Sequence, residues 1–148
     1  MAVALIDTNV LVYAHDRGEP AKQAQAVELL SQLQQTGNGR LSTQTVAEFF
    51  RATTRGPQPI LPVRVAAEQV ELFIQSWPVL LVTPAVINIA VQGVRDRKLS
   101  YYDAQVWATA LLNQVPVIFS EDFADGSHLA NVRLVNPFAE EFVLADWV

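Results

Sequence analysis

Three acidic residues stand at or just beyond the ends of short apolar segments, and a fourth opens a helix that leads to one of them. Asp7 directly follows Val-Ala-Leu-Ile at Val3–Ile6, and Asp122 follows Val-Ile-Phe-Ser at Val117–Ser120. Apolar runs of this length, bounded by turn residues, read as buried strands. Glu48 comes a few residues after Leu41-Ser42-Thr43, in the first turn of the next expected helix, and Asp103 opens the helix that feeds the Val117 strand. In open α/β sheets ligands bind at the C-terminal strand edge. Four carboxylates converging there would raise one another's pKa, and a divalent cation resolves the repulsion. Oxygen-only ligands select hard ions, Mg²⁺ or Mn²⁺, over zinc. Such sites activate water and brace the leaving oxygen in phosphodiester hydrolysis, often with two metals roughly 3.5–4 Å apart.

Each acid also has a plainer reading. Asp7 and Asp122 suit helix N-caps or turns. Thr45-x-x-Glu48 and Ser100-x-x-Asp103 both match a capping box. Asp103 fits that role less well. Val106, Trp107 and Ala110 follow it at i+3, i+4 and i+7, which places its carboxylate in an apolar stripe with no Arg or Lys one turn away. A core-facing carboxylate is costly unless paired or metal-bound. Glu48 lies opposite the Val46/Phe49/Phe50 stripe and shares a polar face with Arg51 and Arg55.

The elements that must position these residues alternate in type. Strands are expected at Val3–Ile6, Arg40–Thr43, Val79–Val82, Val117–Ser120 and Val132–Val135. Helices are expected from Thr8 to about His15, from Pro20 to about Gln35, and over Thr45–Arg55, Val63–Trp77, Ala85–Lys98 and Tyr102–Gln114. Pro20 opens its helix, and Gly37 and Gly39 close it. Gly56–Pro62, with three prolines, is a linker, and Asp125-Gly126 marks a loop. Alternating helices and short strands imply an α/β sandwich around a mostly parallel sheet.

Composition removes several classes. The chain has 148 residues, 51% of them hydrophobic and 17% charged, which excludes disorder and suits one domain. No apolar run approaches the ~20 residues a bilayer needs. The N-terminal Met-Ala-Val-Ala-Leu-Ile has no basic region and meets Asp7 at once, unlike a signal peptide. The absence of cysteine excludes disulfides and Cys-ligated metals and suits a reducing cytoplasm, the expected location. A net charge of −5 argues against a passive nucleic-acid coat, which would be basic.

The motifs Ile6-Asp7-Thr8-Asn9-Val10-Leu11, Thr45-Val46-Ala47-Glu48-Phe49, Leu99-Ser100-Tyr101-Tyr102-Asp103-Ala104 and Ser120-Glu121-Asp122-Phe123 together resemble a PIN-domain ribonuclease. Their order and the chain's size look like the VapC-type toxins of prokaryotic toxin–antitoxin pairs. The resemblance implies a single PIN-like domain over 1–148, a three-layer sandwich whose central, mostly parallel sheet is flanked by helices. It implies an endoribonuclease using Mg²⁺ or Mn²⁺, with Asp7, Glu48, Asp103 and Asp122 as its acidic site. Asp7 and Asp103 would be the main metal ligands, with Glu48 and Asp122 ligating directly or through water. Asn9 and Ser120 match auxiliary polar positions, and Asp125 or Glu121 could share the role of Asp122. The expected substrate is single-stranded or loop RNA, cut to 5′-phosphate and 3′-hydroxyl ends. A cognate antitoxin and a homodimer are expected partners, with no membrane.

The remaining singled-out residues have two readings each. Arg51, Arg55, Arg95, Arg97 and Lys98 would hold RNA phosphates, or the last three would simply complement a helix C-terminus. Tyr101 and Tyr102 could stack bases, although aromatics flanking a buried helix start are more often core. His15 and His128 lack a second ligand nearby and suit surface or loop roles. A haloacid-type phosphatase would want an acid where Asn9 stands, and a receiver domain would want a Lys after the Val117–Ser120 strand. The non-enzyme alternative is a PIN-like module that binds RNA or a protein without turnover.

Overall fold

The computed structural model describes residues 2–148. In chain order the elements are β1 (Ala4–Ile6), α1 (Thr8–Tyr13), α2 (Pro20–Thr36), β2 (Gly39–Ser42), α3 (Thr43–Thr54) and α4 (Val63–Ser76). There follow β3 (Val79–Leu80), α5 (Pro84–Arg97), α6 (Tyr101–Leu112), β4 (Val117–Phe119), β5 (His128–Leu129) and β6 (Val132–Val135). A 3₁₀ turn at Leu144–Asp146 lies near the C-terminus. The sheet has six strands in the order β3-β2-β1-β4-β6-β5, and only the β5–β6 pairing is antiparallel.

The layers follow from the alternation of side chains along each strand. Ala4, Ile6, Val117 and Phe119 face one apolar cluster, with Leu29, Leu33 and Phe49. Leu5, Ile118 and Leu134 face the other, with Ala90, Ala104 and Trp107. The three-layer α/β sandwich around a mostly parallel sheet is therefore the observed fold. The C-terminal segment seals the first cluster, where Phe142 and Trp147 pack edge-on against Phe119. No helix among the described residues is long and apolar enough to cross a membrane.

Two glycines matter to the frame. Gly37 caps α2 in the left-handed region, at φ 73°. A Cβ at Gly39 would lie 2.2 Å from Trp77, so only glycine lets β2 pass beneath that ring.

Several boundaries differ from expectation, for local reasons. The first helix stops at Tyr13 rather than His15, and the third strand is only Val79–Leu80. The antiparallel β5 was unforeseen, because two residues carry no periodicity. The α3 capping box uses Ser42 and Thr45 instead of Thr45 and Glu48, so Glu48 lies in the second turn with its carboxylate free of capping. Ser100 occupies the N-cap of α6 without a side-chain cap bond, so the Ser100/Asp103 box does not form either. Asp103 is also not core-facing. Residues Ala104–Ala110 are buried on every side of α6, so the apolar pattern marks no single stripe, and Asp103 is half-buried at the helix start.

Candidate metal centre

The acids gather where the strand order turns. From β1 the chain crosses to β2 on one side, and from β3 it returns to β4 on the other. The crevice between the C-terminal ends of β1 and β4 is thus the switch point at which open α/β sheets bind ligands. Asp7 caps α1 at the end of β1, and Asp122 lies in the loop leaving β4. Asp103 reaches the crevice from the first turn of α6. Carboxylate oxygens of Asp7, Asp103 and Asp122 all lie within 4.8 Å of one another.

Asp7 is the most constrained of the three. It is 4% exposed, accepts the Thr8 backbone N–H at 2.7 Å, and accepts the Ser120 hydroxyl at 2.7 Å. Its pKa is nevertheless raised to about 6, chiefly because burial disfavours the charge, with Asp122 and Asp103 adding repulsion. Asp103 is also pushed up, by burial first and then by Asp122 and Glu48, while the Ser100 hydroxyl pulls the other way.

Ser120 is the hub of the polar contacts. Its hydroxyl oxygen also receives the Asn9 side-chain N–H and the Asp122 backbone N–H, both at 3.1 Å. Asn9 in turn accepts the Glu121 backbone N–H at 3.3 Å. Together Asn9 and Ser120 tie the β4 exit loop to the start of α1.

Glu48 stands beside the three-acid cluster rather than within it. Its carboxylate accepts the Thr8 hydroxyl at 2.9 Å and the Gln44 amide at 3.1 Å. The Gln44 amide also donates to the Tyr102 carbonyl, and Gln105 donates to Gln44 at 2.9 Å. This chain of bonds fastens α3, which carries Glu48, to α6, which carries Asp103. Thr8, Gln44 and Gln105 were missed by sequence reasoning. A visible signal existed for Gln105, the one amide inside the mostly apolar Ala104–Ala110 run, and for Gln44, four residues before Glu48.

The structure separates the rivals for the last acid. The Glu121 carboxylate accepts the Tyr13 hydroxyl and forms an ion pair with Lys22 at 2.9 Å. Asp125 accepts the Asn136 backbone N–H at 2.7 Å and serves that turn. Only Asp122 joins Asp7 and Asp103.

A cavity of about 880 Å³ meets the cluster at Asp122 and is lined also by Glu48, Tyr102, Arg51 and Arg55 among others. Arg95, Arg97 and Lys98 do not line it. Arg95 pairs with Asp96, Arg97 lies 5.3 Å from the centre of the Trp107 ring, and Lys98 caps α5. His15 packs against Phe49, and His128 is exposed on β5. Helices α3 and α4 pack together through Phe49 and Phe73. The Gln58–Pro62 stretch walls a second cavity with the turn between α1 and α2.

Comparison with known proteins agrees with this geometry. A toxin–antitoxin complex from Klebsiella pneumoniae contains a chain of similar fold, with TM-score 0.65 and 17% identity over 91% of this chain and 98% of that one. VapBC2 from Rickettsia felis, bound to a promoter DNA fragment, gives TM-score 0.63 and 12% identity over 88% and 96%. VapC20 of Mycobacterium tuberculosis, a sarcin-ricin loop cleaving toxin, gives 0.64 and 15% over 78% and 86%. No curated protein matches by sequence. The sequence model described as the PIN domain matches residues 4–124, a span that holds Asp7, Glu48, Asp103 and Asp122 and every element that carries them. The chain belongs to the PIN domain family.

Proposed function

We propose that this protein is a divalent-cation-dependent endoribonuclease acting on single-stranded or loop RNA, and the toxin of a toxin–antitoxin pair. One observation carries the reading. Carboxylates from three separate elements converge beside an open cavity that Asp122 lines, and the most buried of them has its pKa raised to about 6. That rise comes first from burial of the charge and then from the Asp122 and Asp103 carboxylates, with no cation of the chain acting against it. An all-carboxylate donor set fits Mg²⁺ or Mn²⁺. When bound, such an ion supplies an activated water and charge for the leaving oxygen.

In this reading Asp7, Asp103 and Asp122 hold the cation. Ser120 fixes the Asp7 carboxylate and accepts the Asp122 backbone N–H, and Asn9 holds Ser120 in place. Glu48, steadied by Thr8 and Gln44, faces the same cavity and accepts a proton or orients water there. Arg51 on α3 and Arg55 at its C-cap, both exposed and lining the same cavity, take phosphates of the RNA.

The structures of similar fold include two toxin–antitoxin assemblies and one RNA-loop-cleaving toxin. By that likeness the partner is a small antitoxin, and an Arg of that partner placed on the acids would displace the cation. Exposed Ile87, Val91 and Val94 form an apolar stripe on α5 that suits a homodimer. The direct test is to incubate purified protein with single-stranded, stem-loop and duplex RNA oligonucleotides, with Mn²⁺ or with EDTA. Cleavage of unpaired segments, abolished by EDTA, supports the proposal. No cleavage of any RNA in Mn²⁺ refutes it.

A further inference from the structure

We propose that Tyr102 is a stacking platform for one unpaired nucleobase beside the bond to be cut, and that it makes the cavity selective for unstacked RNA. The inference deepens the ribonuclease reading and rests on it.

Tyr102 is 64% exposed, although its neighbour Tyr101 is half-buried and Ala104–Ala110 of the same helix are buried. Its position is what distinguishes it from other exposed apolar side chains. It immediately precedes Asp103 and lines the same cavity as Glu48 and Asp122. A base stacked on it would place the adjoining phosphodiester over the acidic cluster.

The platform is also held in place before any ligand arrives. The Tyr102 carbonyl accepts the Gln44 amide at 3.1 Å. Its ring meets Tyr101 edge-on, with centroids 5.2 Å apart and planes at 79°. The Tyr101 hydroxyl is anchored on Gln105 at 2.7 Å. In an edge-on pair at least one face of Tyr102 stays uncovered, whichever ring supplies the edge. A pre-set aromatic surface binds with little loss of side-chain freedom.

The charges around it favour RNA as the occupant. Arg51 and Arg55 lie one helical turn apart on the cavity wall, and neither pairs with an acid among the described residues. A strand running from the acids to these arginines would have its phosphates met by those guanidinium groups. In a duplex both faces of a base are already stacked, so only an unpaired base can reach Tyr102.

The test compares wild type, Tyr102→Phe and Tyr102→Ala. Base–aromatic stacking predicts a loss of roughly 10- to 100-fold in RNA affinity for the Ala variant. The loss should appear in KM on single-stranded oligonucleotides more than in kcat. Preference for unpaired over duplex RNA should shrink, and Tyr102→Phe should retain wild-type behaviour. A second readout uses cleavage-deficient Asp103→Asn protein and oligonucleotides carrying 2-aminopurine at successive positions. One position should be quenched on binding, and the quench should vanish when Tyr102→Ala is added. Wild-type cleavage and selectivity in Tyr102→Ala would overturn this inference and leave the ribonuclease reading intact. Unchanged cleavage with a weakened complex with a co-purifying protein would overturn it too, by assigning the platform to a protein partner. Absence of RNA cleavage by wild type in every context would overturn both.

Discussion

Asp7 carries the clearest physical signature in the molecule, a buried carboxylate whose neighbours are acids and hydroxyls. Its folded-state pKa of about 6 exceeds the ordinary 3.8. Between those values the folded protein therefore holds a proton that the unfolded chain has lost. Stability must fall as pH rises through that window and level off above it. The shift corresponds to about 3 kcal/mol at roughly 1.4 kcal/mol per unit. In EDTA, the Tm should decline from pH 4 to 6.5, and Asp7→Asn should flatten that decline. A Tm indifferent to pH in this range would contradict the burial argument. Mn²⁺ should raise the Tm at pH 7 by binding only the folded state, and the gain should shrink in Asp103→Asn. At the same scale the acids divide sharply. Asp7→Asn, Glu48→Gln or Asp103→Asn should lower RNA cleavage by at least ~100-fold with the fold intact. Asp125→Asn should leave activity near wild type, because Asp125 serves the Asn136 turn.

Elements decide whether those acids meet, and two close approaches set their spacing. A Cβ at Gly93 would come within 2.9 Å of the Trp107 ring, so this glycine sets how near α5 lies to α6 and to Asp103. Gly39 does the same for β2 beneath Trp77. Overpacking of this kind typically costs ~1–3 kcal/mol. Gly39→Ala should lower the Tm, and Gly93→Ala should lower both the Tm and Mn²⁺ affinity. Circular dichroism melts with and without Mn²⁺ separate the two effects. Most of this frame was legible in the sequence because three of its strands are short apolar runs and its second helix has clear ends at Pro20 and Gly37. Asp7 could be located because it directly ends such a run, and Asp122 because it lies in the turn just past one. The Asp103 environment could not be read, since a helix buried all round shows no polar face from which to measure orientation. The Gln44–Gln105 tie is a contact across 61 positions, which no local pattern reports. Asp96, the partner of Arg95, stands beside it in the sequence, whereas the approach of Arg97 to the Trp107 ring joins two helices and no local pattern reports it.

At the scale of the whole molecule, a chain of net charge −5 is proposed to take up a polyanion. Two features reconcile these facts: a cation over the acids, and Arg51 with Arg55 lining the same cavity. The apolar stripe Ile87, Val91 and Val94 on α5 suits a second copy of the chain, so Val91→Glu should shift sedimentation from dimer to monomer. A wild-type monomer would contradict that assignment without touching the site. The central claim is that the converging carboxylates hold a divalent cation that cleaves RNA. It is tested most directly by mapping new 5′ ends in total RNA incubated with purified wild type and Asp103→Asn, each with Mn²⁺ and with EDTA. The account predicts discrete 5′-phosphate ends within unpaired segments for wild type with Mn²⁺ alone. Equal cleavage by Asp103→Asn, or cleavage that persists in EDTA, would contradict it.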